Sequence, residues 1–253
     1  MNPAVRLFKQ FLIAFIILAV LGFAGFRVGQ RLNPPTPTPT PDPRASLAPL
    51  EVLETDLLPV AALDYDVVAK IKNPNASYGS PTVQYELSLM NADGKEVLRN
   101  TGSLYILPGQ TKYVLFSPLK TAEPVSQATV RIANVDWQQL DALAAQQVSL
   151  VVTGTQFISA FSKFRGTVLN NSDFDISQAD ITVILFDVAQ HPIAANRSEI
   201  RTFLAKTARG FEVSWSLPIS GAGTNAYVEA TTNLFENSTF LRTYGKLEQF
   251  QQP

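Results

Sequence analysis

Two stretches decide the fold: VQYELSLMNADGKEV, residues 83–97, and DITVILFDVAQHPI, residues 180–193. In the first, Val83, Tyr85, Leu87 and Leu89 alternate with Gln84, Glu86 and Ser88, the period of a strand with one buried face. Asn91–Gly94 follows as a turn, and Lys95–Leu98 returns as the partner arm of a hairpin. The second stretch repeats the plan, with an apolar run, a turn around Asp187–His191 and a return at Pro192.

The neighbours of the two stretches also pair. VAKIKNPNASYGS (68–80) resembles RGTVLNNSDFDIS (165–177), SLYILPGQTKYVLFSPL (103–119) resembles IRTFLAKTARGFEVSWSLP (200–218), and ATVRIAN (128–134) resembles NAYVEAT (225–231). The offset stays at about 97 residues throughout, the mark of a tandem repeat. About seven short strands in ~90 residues is the pattern of a β-sandwich. The expected fold is therefore all-β: two tandem immunoglobulin- or fibronectin-like sandwiches, residues 47–137 and 148–253, separable in principle. A single continuous sandwich is the competing reading, and the constant offset argues against it. Between the copies, residues 138–147 hold good helix formers after Asp136, so a short helical or turn connector is expected there, with Trp137 at the junction.

Before the repeat lies NPPTPTPTPDP, residues 33–43. Proline fixes φ and lacks an amide donor, so this segment joins neither helix nor sheet. As a polyproline-II rod its ten residues from Pro34 to Pro43 span about 31 Å; a disordered tether is the alternative. Upstream, Phe11–Phe26 is uncharged and almost wholly apolar. It reads as a membrane-spanning signal anchor over residues 11–29, with residues 1–10 cytoplasmic and 30–46 a Pro/Thr-rich linker. A cleaved signal peptide, with Gly22 and Ala24 before the cut, is the other reading. Arg6, Lys9 and the terminal amine against Arg27 and Arg31 favour an inside N-terminus by three to two. That places the body outside the cytoplasmic membrane.

Composition removes several function classes. The chain has 20 Lys and Arg, 21 Asp and Glu, and no Cys. Beyond the linker the balance is about −5, with no basic cluster for a nucleic acid. Disulfides, thiol chemistry and Cys-held metals are excluded. His191, the single histidine, sits in a turn before Pro192, a poor place for the base of a catalytic triad. Asp173 and Asp175 alternate in a loop; they are weighed as Ca²⁺ ligands against ordinary caps of turn amides. Asn75, Asn170, Asn196 and Asn237 each open an Asn-x-Ser/Thr triplet, read as a glycan acceptor or as a plain turn residue. No cofactor motif is present, and neither a cofactor nor a metal is expected.

One strand breaks the one-sided rule. Ile181–Phe186 is apolar on both faces apart from Thr182, so Ile184 and Phe186 must meet the other domain, the C-terminal tail or a partner. The tail from Asn233, carrying Phe235 and Phe240, is the expected cover. Ile184, Phe186, Phe235 and Phe240 together form the candidate interaction surface.

The LFD at Leu185–Asp187 and the VLNNS at Val168–Ser172 resemble the FxLYD-type domain of bacterial envelope proteins. VVAKIKNPN (67–75) is similar to the water-stress-and-hypersensitive-response domain. Both resemblances imply immunoglobulin-like folds and bring no catalytic residue. They imply a single-pass envelope protein that binds or scaffolds a protein partner; an exported carbohydrate- or ligand-binding protein is the alternative.

Overall fold

The computed structural model describes the backbone of residues 3–32, 43–140, 145–221 and 225–244; within the first segment the side chains of residues 8, 9 and 11–27 are described. The chain forms two compact units, Met1–Ala45 and Ser46–Pro253.

In the first unit, α1 (Pro3–Leu32) is a helix of 30 residues, about 45 Å long at ~1.5 Å per residue. Pro3 stands in its first turn, where the missing amide costs no hydrogen bond. Phe11, Leu12, Ile13, Phe15, Ile16, Ile17 and Leu18 are all exposed, and at 100° per residue they cover every face. Among the described residues no helix is long and apolar enough to cross a membrane. Most of the Thr/Pro spacer lies outside the described residues. Its last proline, Pro43, departs from the extended rod and opens a 3-10 turn, Pro43–Ser46.

The second unit is an all-β sandwich fold. Its first half holds β1 (Glu51–Ala61), β2 (Asp64–Lys72), β3 (Tyr78–Met90), β4 (Glu96–Ile106), β5 (Thr111–Lys120) and β6 (Gln127–Val135), and the short β7 (Gln138–Gln139) follows. Its second half holds β8 (Leu150–Ile158), β9 (Lys163–Asn170), β10 (Ile176–Phe186), β11 (Pro192–Phe203), β12 (Ala208–Ser214) and β13 (Ala226–Thr231). The strand orders are β1-β2-β5 and β4-β3-β6 in the first half, and β8-β9-β12 and β11-β10-β13 in the second. The two halves thus have the same plan, with antiparallel pairing throughout. Alternation sets the inner faces: Val83, Leu87 and Leu89 join Val67, Ala69 and Ile71 in one core, and Ile181, Val183 and Leu185 join Val168 and Phe211 in the other.

A buried asparagine closes each copy at the same place. Asn73 donates from Nδ2 to the carbonyls of Tyr78 (2.7 Å) and Leu107 (2.9 Å) and accepts from the Asn75 amide. Asn170, about 97 residues on, donates to the carbonyls of Phe174, Phe203 and Leu204 and accepts from the Ser172 amide. Each side chain ties three chain segments together where the ladder ends, and this satisfies carbonyls that burial would otherwise leave unpaired. The hairpin turns are also as the sequence indicates. Gly94, at φ 76°, supplies the left-handed residue of the first, and the Asp187 carboxylate caps the Ala189 and His191 amides of the second at 2.8 Å each.

The connector is only in part the short helix or turn expected: residues 145–147 are helical or in a turn, but it begins as a strand. Gln138 and Gln139 extend a sheet by pairing with Gly79 and Tyr78 of β3 instead of starting a helix. Residues 141–144 lie outside the described residues. Trp137 packs on the first core. Beyond β13 the chain forms α2 (Ser238–Tyr244), capped by Asn237, whose Oδ1 accepts from the Phe240 amide at 2.9 Å.

Leu58, Val68, Ile184 and Ala195 form a further buried cluster, flanked by Tyr113, Leu115, Phe186 and Tyr227. Its members belong to β1, β2 and β5 on one side and to β10, β11 and β13 on the other. The outer face of the β1-β2-β5 sheet therefore packs on the outer face of the β11-β10-β13 sheet. The two outermost faces carry solvated ion pairs, Arg131–Glu86 and Arg99–Glu96 on one and Lys163–Glu212 on the other. Exposed pairs of this kind contribute little stability, but they mark faces that water covers.

Candidate functional site

The seam between the two halves explains why β10 is apolar on both sides. Ile181, Val183 and Leu185 point into their own core, while Ile184, 0% exposed, and Phe186 point at the first half. Tyr113 meets Tyr227 and Phe186 edge-on, with ring centroids 4.8 and 6.5 Å apart. The first of the three possible covers, the other domain, is the one used. The tail takes a different place. Phe240 is buried with Leu140, Phe174 and Leu234, and Phe235 packs against that cluster; the Phe240 ring meets Phe174 edge-on at 5.7 Å. The expected cover of Ile184 and Phe186 by the tail is therefore corrected: those residues meet β1, β2 and β5, and the tail closes the end of the body where Asn170 sits. The four residues of the candidate surface belong to two separate buried clusters.

At one end the seam turns polar. The Tyr105 hydroxyl donates to Asp180 Oδ2 (3.2 Å) and shares a 2.8 Å hydrogen bond with Thr231 Oγ1. Gln178 Nε2 donates to the other Asp180 oxygen at 2.8 Å. Burial, reinforced by the Asp180 charge, raises the Tyr105 phenol above its ordinary range. Lys112, 8% exposed, donates from Nζ to the Tyr105 carbonyl at 3.0 Å and lies 3.8 Å from the Tyr105 ring centroid. Burial pushes its ammonium down to about 8, against the pull of Glu229 and Asp180. An open cleft of about 650 Å³ borders this network, walled by Tyr85, Lys112, Asp180, Arg197 and Glu199.

At the other end lies a second cleft of about 460 Å³. From the first half Pro59, Asp66, Ser117 and Pro118 line it, and from the second Trp215 and Ile219. Asp66 alternates with Val67 and so shares the seam-facing side of β2 with Val68. It is 8% exposed. Burial raises its carboxyl above the ordinary range, a hydrogen bond with the Ser117 side chain opposes this, and the charge of Asp64 adds to the rise. Trp215 is fixed by a 2.9 Å hydrogen bond from Nε1 to the Ala195 carbonyl. Sequence reading passed over both buried charges. The signal was the two-residue period: Lys112 shares a side with Val114 and Phe116, and Asp66 with Val68.

The other singled-out residues take local roles. His191 is 77% exposed beside Asp187, with Nδ1 to Oδ2 3.6 Å, in the turn the sequence indicates. Asp173 pairs with Lys206 at 2.9 Å, and Asp175 caps the Ala205 amide at 2.8 Å. Among the described residues no group of three or more acidic or histidine side chains is placed to hold a metal. The triplet asparagines all spend their amides internally: Asn75 on Ala48, Asn196 on the Ser214 carbonyl, Asn237 on the Asp175 carbonyl, and Asn170 as described above.

No family model matches the chain, the FxLYD-type one included, and no curated protein matches it. Among solved structures it is similar to the calcium-binding domain CBD12 of CALX1.1 (TM-score 0.23, 11% identity, 73% of this chain and 82% of that one). CBD12 from CALX1.2 is similar in the same way (TM-score 0.23, 10% identity, 74% and 84%). A third similar structure is red sea bream transglutaminase (TM-score 0.24, 11% identity), of which the match covers 29% against 74% of this chain.

Proposed function

We propose that the protein is a non-enzymatic binding or scaffolding module, tethered to the cytoplasmic membrane by α1 and displaying its β body outside. The observation that carries the tether is the helix of 30 residues whose apolar side chains from Phe11 to Leu18 are exposed on every face. A helix apolar all round belongs in a membrane or a large core; the described side chains, 11–27, do not by themselves make a full span, but the whole helix of 30 residues exceeds the about 20 that a bilayer needs. The Thr/Pro segment that follows fits a spacer between membrane and body. The binding role is supported by the seam, because clefts between packed domains are common ligand sites. A protein partner in the envelope, with no nucleic acid, fits the charge balance and the FxLYD-type resemblance. The test is fractionation of the full chain with alkaline extraction, N-terminal sequencing and a reporter fused after Pro253. Retention in the membrane pellet with Met1 present and an extracytoplasmic reporter is the expected result. A soluble mature protein starting near Gly25 would favour the exported ligand-binding reading, and a reporter active only in the cytoplasm would overturn both.

A further inference from the structure

We propose that the cleft lined by Asp66 and Trp215 binds a small organic cation, an ammonium or guanidinium head on an apolar stem. This rests on the binding half of the function proposed above and is independent of the tether.

Asp66 stands in the wall of this cleft with little of its surface exposed. The residue is 8% exposed, yet among the described residues it takes part in none of the ion pairs. Its described partner is the Ser117 side chain. Lys120 stands opposite Asp64 in the β2–β5 register, but no ion pair joins it to either acid. Buried carboxylates are expensive unless paired, and a second acid nearby raises the cost. Asp66 has the Ser117 side chain as a partner but no ion pair to offset its burial, whereas an apolar residue like its neighbour Val68 would carry no such cost. Buried, unpaired charge in a cleft is a mark of a binding site.

The walls fix the rest of the ligand. Pro59 and Pro118 are rigid and apolar, Ile219 is apolar, and Trp215 presents an aromatic surface in one fixed orientation. A cation attached to an apolar stem satisfies both parts of the site: the head meets the carboxylate, and the stem lies on proline and indole. Aromatic walls also attract cations directly. A free anion would meet Asp66 and Asp64, and a neutral apolar ligand would leave the carboxylate unpaired. The volume of about 460 Å³ lies within the usual range for small-ligand sites.

The experiment uses the full chain in non-ionic detergent, titrated by calorimetry with 2-phenylethylammonium and with 2-phenylethanol, which has the same stem and no charge. A Kd on the order of 1 mM or tighter is expected for the ammonium, with binding of the alcohol at least about tenfold weaker. A third arm titrates a blocked Gly-Lys-Gly peptide. If it binds more tightly than the free amine, the head group belongs to a protein side chain; if more weakly, to a free amine. Asp66→Asn should lose the preference for the ammonium while its urea midpoint stays level or rises, which separates lost recognition from lost folding. Should Asp66→Asn unfold, Trp215→Leu provides the second reading, with weaker binding of both stems. Equal binding of ammonium and alcohol by the native chain, or an unchanged ammonium Kd in a folded Asp66→Asn, overturns the proposal. Neither outcome bears on whether α1 holds the chain in a membrane.

Discussion

Val68 and Ile184 lie in different sandwiches, both 0% exposed, within the cluster that forms the seam. Ile184→Ala removes apolar volume that the stacked sheets cannot refill, at a cost of about 2–5 kcal/mol. Val68→Ala deletes two methyl groups, at about 0.8 kcal/mol each for lost burial plus a cavity contribution, so about 2 kcal/mol. If the side chains pack against one another across the seam, the double variant loses less than the sum. The coupling should then fall in the range of about 0.5–3 kcal/mol found for residues in contact. Urea unfolding of residues 46–253, followed by the fluorescence of Trp137 and Trp215, measures all four corners of the cycle. The control pair is Leu87→Ala with Ile184→Ala, since Leu87 lies in the first core; those losses should add within about 0.5 kcal/mol. Additivity of Val68 and Ile184 within that margin would refute the seam as described.

Three further outcomes follow from individual side chains. The Lys112 ammonium is held at about 8 against an ordinary 10.5, so between those pH values the unfolded chain binds more protons and native stability rises with pH. At about 1.36 kcal/mol per pKa unit this amounts to about 3 kcal/mol. Lys112→Met should therefore be more stable than the native chain at pH 7, with the gap narrowing by pH 9.5 in paired urea titrations. Asn170→Ala removes the hydrogen bonds to the buried carbonyls of Phe174 and Phe203, while the Leu204 carbonyl keeps its bond from Thr207 Oγ1, and should cost about 3 kcal/mol, whereas Asn75→Ala, whose bonds to Ala48 are exposed, should cost about 1 kcal/mol by the same melts. Phe240→Ala should cost about 3–5 kcal/mol yet leave the body monomeric by sedimentation, because the Ile184 face is covered by the other sandwich.

Much of the fold was legible because it depends on local periodicity. The alternation at Val83–Leu89, the turn glycine at Gly94 and the recurrence of Asn73 as Asn170 are all readable one residue at a time. The two-sided strand Ile181–Phe186 correctly signalled a second contact. Its partner was not legible, because Val68 and Leu58 also read as members of ordinary strands, and nothing local says which sheet faces which. The start of the connector, unlike residues 145–147, differs from the helix or turn expected for a related reason. Gln138 and Gln139 have helical propensity, but the amides at the start of β3 offered them a ladder, and tertiary pairing overrides weak propensity. The clefts were hidden because nothing local says which sheets meet, although the two-residue period already puts Lys112 on the side of Val114 and Phe116 and Asp66 on that of Val68.

The central claim is that the two copies act as one body through the seam, although the repeat alone implies two separable domains. Scanning calorimetry of residues 46–253 tests it most directly. The stacked arrangement predicts a single transition whose calorimetric enthalpy matches the van't Hoff enthalpy. Two resolved transitions, or a calorimetric enthalpy near twice the van't Hoff value, would show that the sandwiches melt independently and contradict it.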